Sequence, residues 1–266
     1  TMEKVRWSRA IACYMLGIRS MWHCQFLRFI QFGIFLVGKL QKSRAFHISF
    51  FFPLCYNNSM VLSKKRARKV LEEIIALYPN AKPSLDFRNH FELLVAVMLS
   101  AQTTDAAVNK ATPGLFAAFP TVEAMAVADV QEISRYISRL GLYRNKAKFL
   151  KECAQQLLDR HEGQVPQTRE ELEALSGVGR KTANVVLSVG FGIPAFAVDT
   201  HVGRICKHHE IVKKSATPLE TEKRVMEVLP PELWLAAHQS MIYFGREVCH
   251  PKNPECHNYP QLYDFE

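Results

Sequence analysis

Residues 175–187 read Leu-Ser-Gly-Val-Gly-Arg-Lys-Thr-Ala-Asn-Val-Val-Leu, and this stretch predicts two helices joined by a tight hairpin. Gly177 and Gly179 interrupt the helical pattern, since glycine accepts the positive φ angles that a short hairpin requires, and helical periodicity resumes at Arg180. The first N–H groups of the second helix then lack partners, and such groups bind anions, including phosphates. We therefore expect the backbone at Gly177, Val178, Gly179 and Arg180 to bind the phosphates of a nucleic acid.

Lys181 lies in the first turn of the predicted second helix. The positive end of the helix dipole favours the neutral form of its amine. A neutral lysine beside a bound phosphate backbone is a nucleophile within reach of a sugar. The motif alone leaves a second interpretation open, in which this is a glycine-rich turn followed by an ordinary surface lysine.

A second motif, Ala197-Val-Asp-Thr-His201, follows the hairpin. In combination the two motifs resemble the helix-hairpin-helix DNA glycosylases, and most closely the bacterial endonuclease III family, over about residues 60–256. The resemblance implies base excision repair of oxidised pyrimidines in duplex DNA, coupled to cleavage at the abasic site. In that chemistry Lys181 attacks the sugar and forms a Schiff base, and Asp199 assists departure of the base. Asp199 is also placed to cap a helix, and His201 is expected to have a structural role.

The resemblance also implies two contacts with the DNA bases. Gln102 would enter the gap that a flipped-out nucleotide leaves, and Leu142, at a loop tip, would wedge into the opposite strand. Each residue has a simpler interpretation. Gln102 could be a polar residue at a helix end, and Leu142 could be a loop anchor or an isolated apolar side chain on the surface.

Helical periodicity recurs along the chain and alternating strand patterns are scarce, so we predict an all-α fold. The resemblance implies two helical domains. A six-helix domain with the helix-hairpin-helix motif would span residues 83–193. A discontinuous domain would combine residues 60–82 with residues 194–266, and the DNA-binding cleft would lie between the two.

The net charge of +9 is unevenly distributed. Residues 1–59 contain eight Lys or Arg and one acid, which leaves the rest of the chain nearly neutral, so DNA binding there must depend on local donors. Residues 1–59 do not resemble the family, and we expect a non-native or disordered extension before a natural start at Met60. A targeting segment and a folded element are the alternatives. The apolar runs in this extension are too short for a bilayer, and we expect a monomeric, cytoplasmic bacterial protein that binds the nucleoid and no membrane.

The seven cysteines are irregularly spaced, which argues against a disulfide scaffold. In the family, four cysteines spaced Cys-x6-Cys-x2-Cys-x5-Cys hold a [4Fe–4S] cluster. Here Cys249 and Cys256 keep the first spacing, but the third and fourth positions are Tyr259 and Phe265. We therefore expect no cluster, no other cofactor and no metal. A zinc site made by the Cys249-His250 and Cys256-His257 pairs is the alternative.

Two rival functions need to be distinguished from a glycosylase with lyase activity. Monofunctional relatives, such as mismatch adenine glycosylases, keep the aspartate but lack a lysine at the position of Lys181. Non-catalytic helix-hairpin-helix modules only grip phosphates. Trapping of a covalent complex by borohydride on abasic-site DNA separates the lyase from both rivals.

Overall fold

The computed structural model describes residues 61–264, and every regular element in that range is a helix, as predicted. The N-terminal extension and Phe265 lie outside the described residues. No helix within residues 61–264 is both long and apolar enough to cross a membrane. The eleven α-helices of this range are α1 (Lys64–Leu77), α2 (His90–Leu99), α3 (Asp105–Ala118), α4 (Val122–Val127), α5 (Val130–Tyr136), α6 (Tyr143–His161), α7 (Arg169–Glu173), α8 (Arg180–Val185), α9 (Thr200–His208), α10 (Pro218–Val228) and α11 (Trp234–Glu247).

Side-chain caps set the starts of most of these helices. Asn89 accepts a hydrogen bond from the Glu92 N–H at the start of α2, and Thr168 accepts one from the Glu171 N–H at the start of α7. Each such cap stabilises a helix by about 1 kcal/mol.

The hydrophobic residues of the described range form two main cores. One core is built from α2 to α8 and the other from α1 together with α9 to α11. A small cluster that includes Leu93, Val185 and Ala197 lies where the chain passes from one core to the other. We propose that these cores define the two domains expected from the sequence. The first contains seven helical segments rather than six, because α4 and α5 have separate caps at Thr121 and Asp129.

Candidate active site

The hairpin between α7 and α8 requires glycine at residue 177. Gly177 has a φ of +77°, and a Cβ atom there would lie 2.8 Å from the Cβ of Phe149 and 3.0 Å from Met98 Cε. Both the conformation and the close packing exclude a larger residue. Gly179 is the N-cap of α8 and offers no side-chain cap, so the first N–H groups of that helix remain available for an anion. Helical structure then continues through a π-helical turn over Val186–Gly190.

The Arg180 side chain is paired within the protein. Its guanidinium donates two hydrogen bonds of 2.8 Å to the Glu222 carboxylate, whose side chain is only 4% exposed. A carboxylate that is so buried requires a charged partner, so this arginine side chain is committed to α10 rather than free for phosphate. A phosphate contact at Arg180 therefore has to be made by its main-chain N–H. The side chain of Val178 is buried and its N–H donates to the carbonyl of Leu175 at 3.1 Å, which leaves Val178 no free donor for a phosphate.

Lys181 and Asp199 line the same groove, which has a volume of about 1510 Å³. The Lys181 side chain is exposed and, among the residues with described positions, forms no ion pair that would occupy its amine. Lys181 is on α8, which packs in the first core, and Asp199 precedes α9, which packs in the second. An amine and a carboxylate from two separately packed parts of the chain therefore line one groove. Its wall also includes Gln102, Arg204, Lys207 and His238.

Asp199 is the N-cap of α9. Its Oδ1 accepts a hydrogen bond of 2.8 Å from the Val202 N–H, which fixes the carboxylate at the helix start. Within the described part of the chain, Oδ2 accepts no hydrogen bond, so one oxygen caps the helix while the other faces no protein donor. His201 has a structural contact, since its Nδ1 lies 3.0 Å from Arg204 Nη2.

Asn184 connects the two halves of the site, a role that no sequence motif indicates. The residue is fully buried one turn after Lys181, and its Nδ2 donates a 2.8 Å hydrogen bond to the carbonyl of Phe196, three residues before Asp199. Arg169 Nε in turn donates to Asn184 Oδ1 at 2.9 Å. This pair of bonds fixes the helix of Lys181 against the segment that carries Asp199.

His238 is a second residue that the sequence did not indicate. It is 4% exposed on α11, and burial lowers its pKa while the nearby Asp199 carboxylate opposes that shift and the Lys181 amine reinforces it. Among the described residues its Nδ1 has no hydrogen-bond partner. A neutral imidazole therefore lies beside both predicted catalytic side chains. A motif search could not find it, because it is 39 positions after Asp199 in the chain.

Gln102 and Leu142 lie at the tips of two adjacent loops. Both adopt left-handed backbone conformations, with φ angles of +54° and +57°, and both are exposed, Leu142 by 57%. A Cβ on Gly141 would lie 3.6 Å from the carbonyl oxygen of Gln102, which shows how closely the loops approach. A strained, exposed leucine contributes little to folding, and such strain is often found at binding sites.

Lys146 holds these two loops together, and it too was missed in the sequence. The buried amine donates hydrogen bonds to the carbonyl of Leu99 (2.8 Å) and to Thr103 Oγ1 (2.7 Å), on either side of the turn that contains Gln102. Burial lowers the pKa of this lysine. Because Lys146 is on α6, directly after Leu142, the amine couples the position of one loop tip to that of the other.

Replacing Leu142 with glycine should stabilise the protein while impairing repair. Glycine removes the left-handed strain, so we expect the free energy of unfolding to rise by about 1 kcal/mol. Loss of the apolar wedge should slow base excision on the order of tenfold, which corresponds to about 1.4 kcal/mol. Denaturant unfolding and single-turnover excision measure the two effects.

Glu162→Gly is the matched control for Leu142→Gly. Glu162 is also exposed and has a φ of +52°, but it follows the last residue of α6, whereas Leu142 precedes the first. It should therefore gain stability without losing activity. If Leu142→Gly excises a damaged base as fast as the Glu162 variant does, then Leu142 makes no contact that matters for DNA.

Comparison with known proteins places this geometry in a family. Residues 95–231 match the family model described as HhH-GPD superfamily base excision DNA repair protein. The chain is similar to endonuclease III of Bacillus subtilis, with 43% identity over 202 residues that cover 76% of this chain and 92% of the relative.

Solved structures give the same result. One is a non-covalent endonuclease III–DNA complex, with a TM-score of 0.73 and 44% identity over 76% of this chain and 94% of that chain. A second is a trapped endonuclease III–DNA covalent intermediate, with a TM-score of 0.74 and 45% identity over 76% of this chain and 95% of that chain. The helices and the groove described above therefore have close counterparts in proteins crystallised on DNA.

Proposed function

The chain belongs to the endonuclease III family of the HhH-GPD superfamily, and on that premise we propose that Lys181 and Asp199 are its catalytic residues. It is a bifunctional base excision repair enzyme that binds damaged duplex DNA, removes oxidised pyrimidines and cleaves abasic sites. The observation that carries the assignment of residues is the shared groove, where an exposed amine meets a carboxylate fixed at a helix start.

Substrate binding begins with the phosphate backbone. The free N–H groups of Gly177 and Gly179 bind phosphate, and the main-chain N–H of Arg180 completes this contact. The glycosidic bond of a stacked nucleotide is inaccessible, so the damaged nucleotide must leave the helix and enter the groove. From the two adjacent loop tips, Gln102 fills the gap left by the flipped nucleotide and Leu142 inserts into the opposite strand. These contacts offset the cost of unstacking.

Base excision is a displacement at the sugar. The neutral amine of Lys181 attacks C1′, the bond from C1′ to the base nitrogen breaks, and the base departs with that electron pair and gains a proton. The carboxylate of Asp199 stabilises positive charge that develops on the sugar, and it accepts a proton from the attacking amine. His238, neutral and buried beside both groups, adds no further positive charge that would repel the protonated amine.

Strand cleavage follows from the same covalent bond. The sugar ring opens as the C1′–O4′ bond breaks, which leaves a protonated imine between C1′ and Lys181. The imine acidifies the C2′ hydrogen, and its removal expels the 3′ phosphate by breaking the C3′–O3′ bond. Water then hydrolyses the imine and regenerates the amine.

Borohydride trapping tests the proposed function with the full chain. On a duplex that carries one oxidised pyrimidine, we expect a nicked strand, and in the presence of borohydride a covalent protein–DNA complex. The matched undamaged duplex should give neither. Base release without a nick or a trapped complex would indicate a monofunctional glycosylase, and tight binding without any base release would indicate a phosphate-binding module.

A further inference from the structure

The residues at the family's cluster position do not fit a [4Fe–4S] group. Within residues 61–264 two thiols, Cys249 and Cys256, occupy this region, and the third position is Tyr259, whose ring packs 6.0 Å from that of Phe244. A cluster of that type requires four thiolates or comparable ligands. The site therefore offers half the usual donor set and aromatic side chains around it.

The structure adds two histidines to this pair of cysteines. The ligand atoms of His208, His209 and Cys256 all lie within 4.8 Å of one another. The Cys256 thiol donates a hydrogen bond to the Cys249 sulfur, and the imidazoles of His208 and His209 lie near enough to Cys249 to lower its pKa further. Both cysteines are at most 1% exposed. Three soft or borderline ligands thus converge from the end of α9 and from the C-terminal loop, and Cys249 adjoins them through its hydrogen bond with Cys256.

His209 is buried among these ligands. Its ring is 5% exposed and lies close enough to the Cys249 sulfur for one nitrogen to bond it, while the other nitrogen has no partner within residues 61–264. An imidazole nitrogen that is buried without a partner costs on the order of 1–3 kcal/mol. The ring is held in place by aromatic neighbours, with Tyr263 at 5.7 Å and Phe244 at 6.0 Å, so it cannot simply turn to solvent.

We propose that Cys249, Cys256, His208 and His209 form a mononuclear zinc site in this protein. Two thiolates and two imidazoles are a standard tetrahedral donor set for Zn²⁺. Ligand atoms around tetrahedral zinc lie about 3.3–3.8 Å apart, so the ligand atoms of His208, His209 and Cys256 need to contract by roughly 1 Å, and the Cys249 sulfur needs to move in with them. Coordination supplies the partner that one nitrogen of His209 lacks.

The ligands differ from those that the sequence suggested. The pairs Cys249-His250 and Cys256-His257 are adjacent in the chain, but His257 is exposed and neither His250 nor His257 belongs to the group of converging ligand atoms. The histidines in position are instead those at the end of α9, more than 40 residues earlier.

A metal here would tie the C-terminal loop to the helix that starts at Asp199. Arg204 already links these parts, since its Nε donates to the carbonyl of Cys249 at 2.8 Å and its Nη2 to that of Gly245 at 2.7 Å. Zinc would add a second and stronger connection one turn further along α9. Its role is structural, because closed four-ligand sites leave no position for a substrate.

Metal analysis of the full chain, expressed with equal supplies of zinc and iron, tests the site. We expect about one zinc per chain. Cys256→Ser and His209→Gln should lose the zinc, while Cys206→Ala, at an equally buried thiol, and His257→Gln should retain it. Because a variant can lose metal simply by misfolding, the wild-type chain is also stripped by a chelator and titrated with Co²⁺. A thiolate-to-cobalt charge-transfer band and a melting temperature raised by several degrees are expected.

Four results would overturn the zinc site. They are iron with acid-labile sulfide in the purified chain, a disulfide between Cys249 and Cys256, a stripped chain that gives no cobalt–thiolate band, and zinc retained at full stoichiometry by both Cys256→Ser and His209→Gln. None of these depends on repair activity, so the test is independent of the roles proposed for Lys181 and Asp199.

Discussion

Lys181→Gln is expected to abolish base excision and strand cleavage together, by at least about 10⁴-fold. Both steps pass through the same covalent bond to this amine, and glutamine keeps the approximate length of the side chain without a nucleophile. Single-turnover excision from a duplex with one oxidised pyrimidine measures the first step. Borohydride trapping on an abasic-site duplex measures the second, and we expect no covalent complex.

The exposure of Lys181 makes the result interpretable. The side chain is exposed and unpaired within the described range, so the substitution should change the free energy of unfolding by no more than about 0.5 kcal/mol. Binding to damaged DNA should also persist, because the positive charge of one lysine near the DNA phosphates accounts for a small part of the affinity. Lys181→Arg keeps the positive charge and should be equally inactive.

Lys207→Gln is the matched control for Lys181→Gln. Lys207 lines the same groove on α9, so its loss removes a comparable positive charge without removing the proposed nucleophile. The Lys207→Gln variant should form the borohydride-trapped covalent complex with abasic-site DNA as efficiently as the wild type does. If trapping survives in Lys181→Gln but fails in Lys207→Gln, the covalent bond is made by a residue of α9 and not of α8. That result would refute the role of Lys181.

The features that could be predicted from sequence are those encoded locally. Helical periodicity depends on residues three or four positions apart, as do caps such as Asn89 and Thr168, and the periodicity was enough to predict the all-α fold. Lys181 and Asp199 were likewise found from short motifs in which glycine and aspartate have specific backbone roles. The shared groove was implied only by family resemblance, because the two residues are on separately packed helices.

The features that were missed depend on contacts between distant parts of the chain. The ion pair of the Arg180 guanidinium was not anticipated, because its partner, Glu222, is 42 residues away. The amine of Lys146 bonds a carbonyl 47 residues earlier, and His238 reaches the site only through the packing of α11. No periodicity specifies such pairs. The left-handed backbone of Gln102 and Leu142 was missed for another reason, since sequence rules expect glycine or asparagine there.

The converging cysteines and histidines illustrate the same limit. Adjacency in the sequence favoured His250 and His257 as partners of the two cysteines. The chain instead reverses after α11, so that the loop beginning at Cys249 returns to the end of α9. Tertiary structure therefore determines which histidines are available as ligands.

Asp199→Asn separates the two roles of this carboxylate. Asparagine caps a helix about as well as aspartate does, and its amide oxygen can keep the bond to the Val202 N–H. The free energy of unfolding should therefore change little. Excision of an oxidised pyrimidine should nevertheless slow by about 10²–10⁴-fold, since the charge that stabilises the sugar and accepts the proton is lost. Thermal unfolding and single-turnover excision are the paired measurements.

The substrate and a second substitution make the Asp199 test decisive. A preformed abasic site has no base to expel, so Asp199→Asn should be impaired much less in trapping on that DNA than in excision. Asp199→Ala removes the cap as well and should lose about 0.5–2 kcal/mol of stability in addition to its activity. If Asp199→Asn excises bases at the wild-type rate while Asp199→Ala is merely less stable, the carboxylate is only a helix cap. The positive charge on the sugar would then have to be stabilised by another group of the groove.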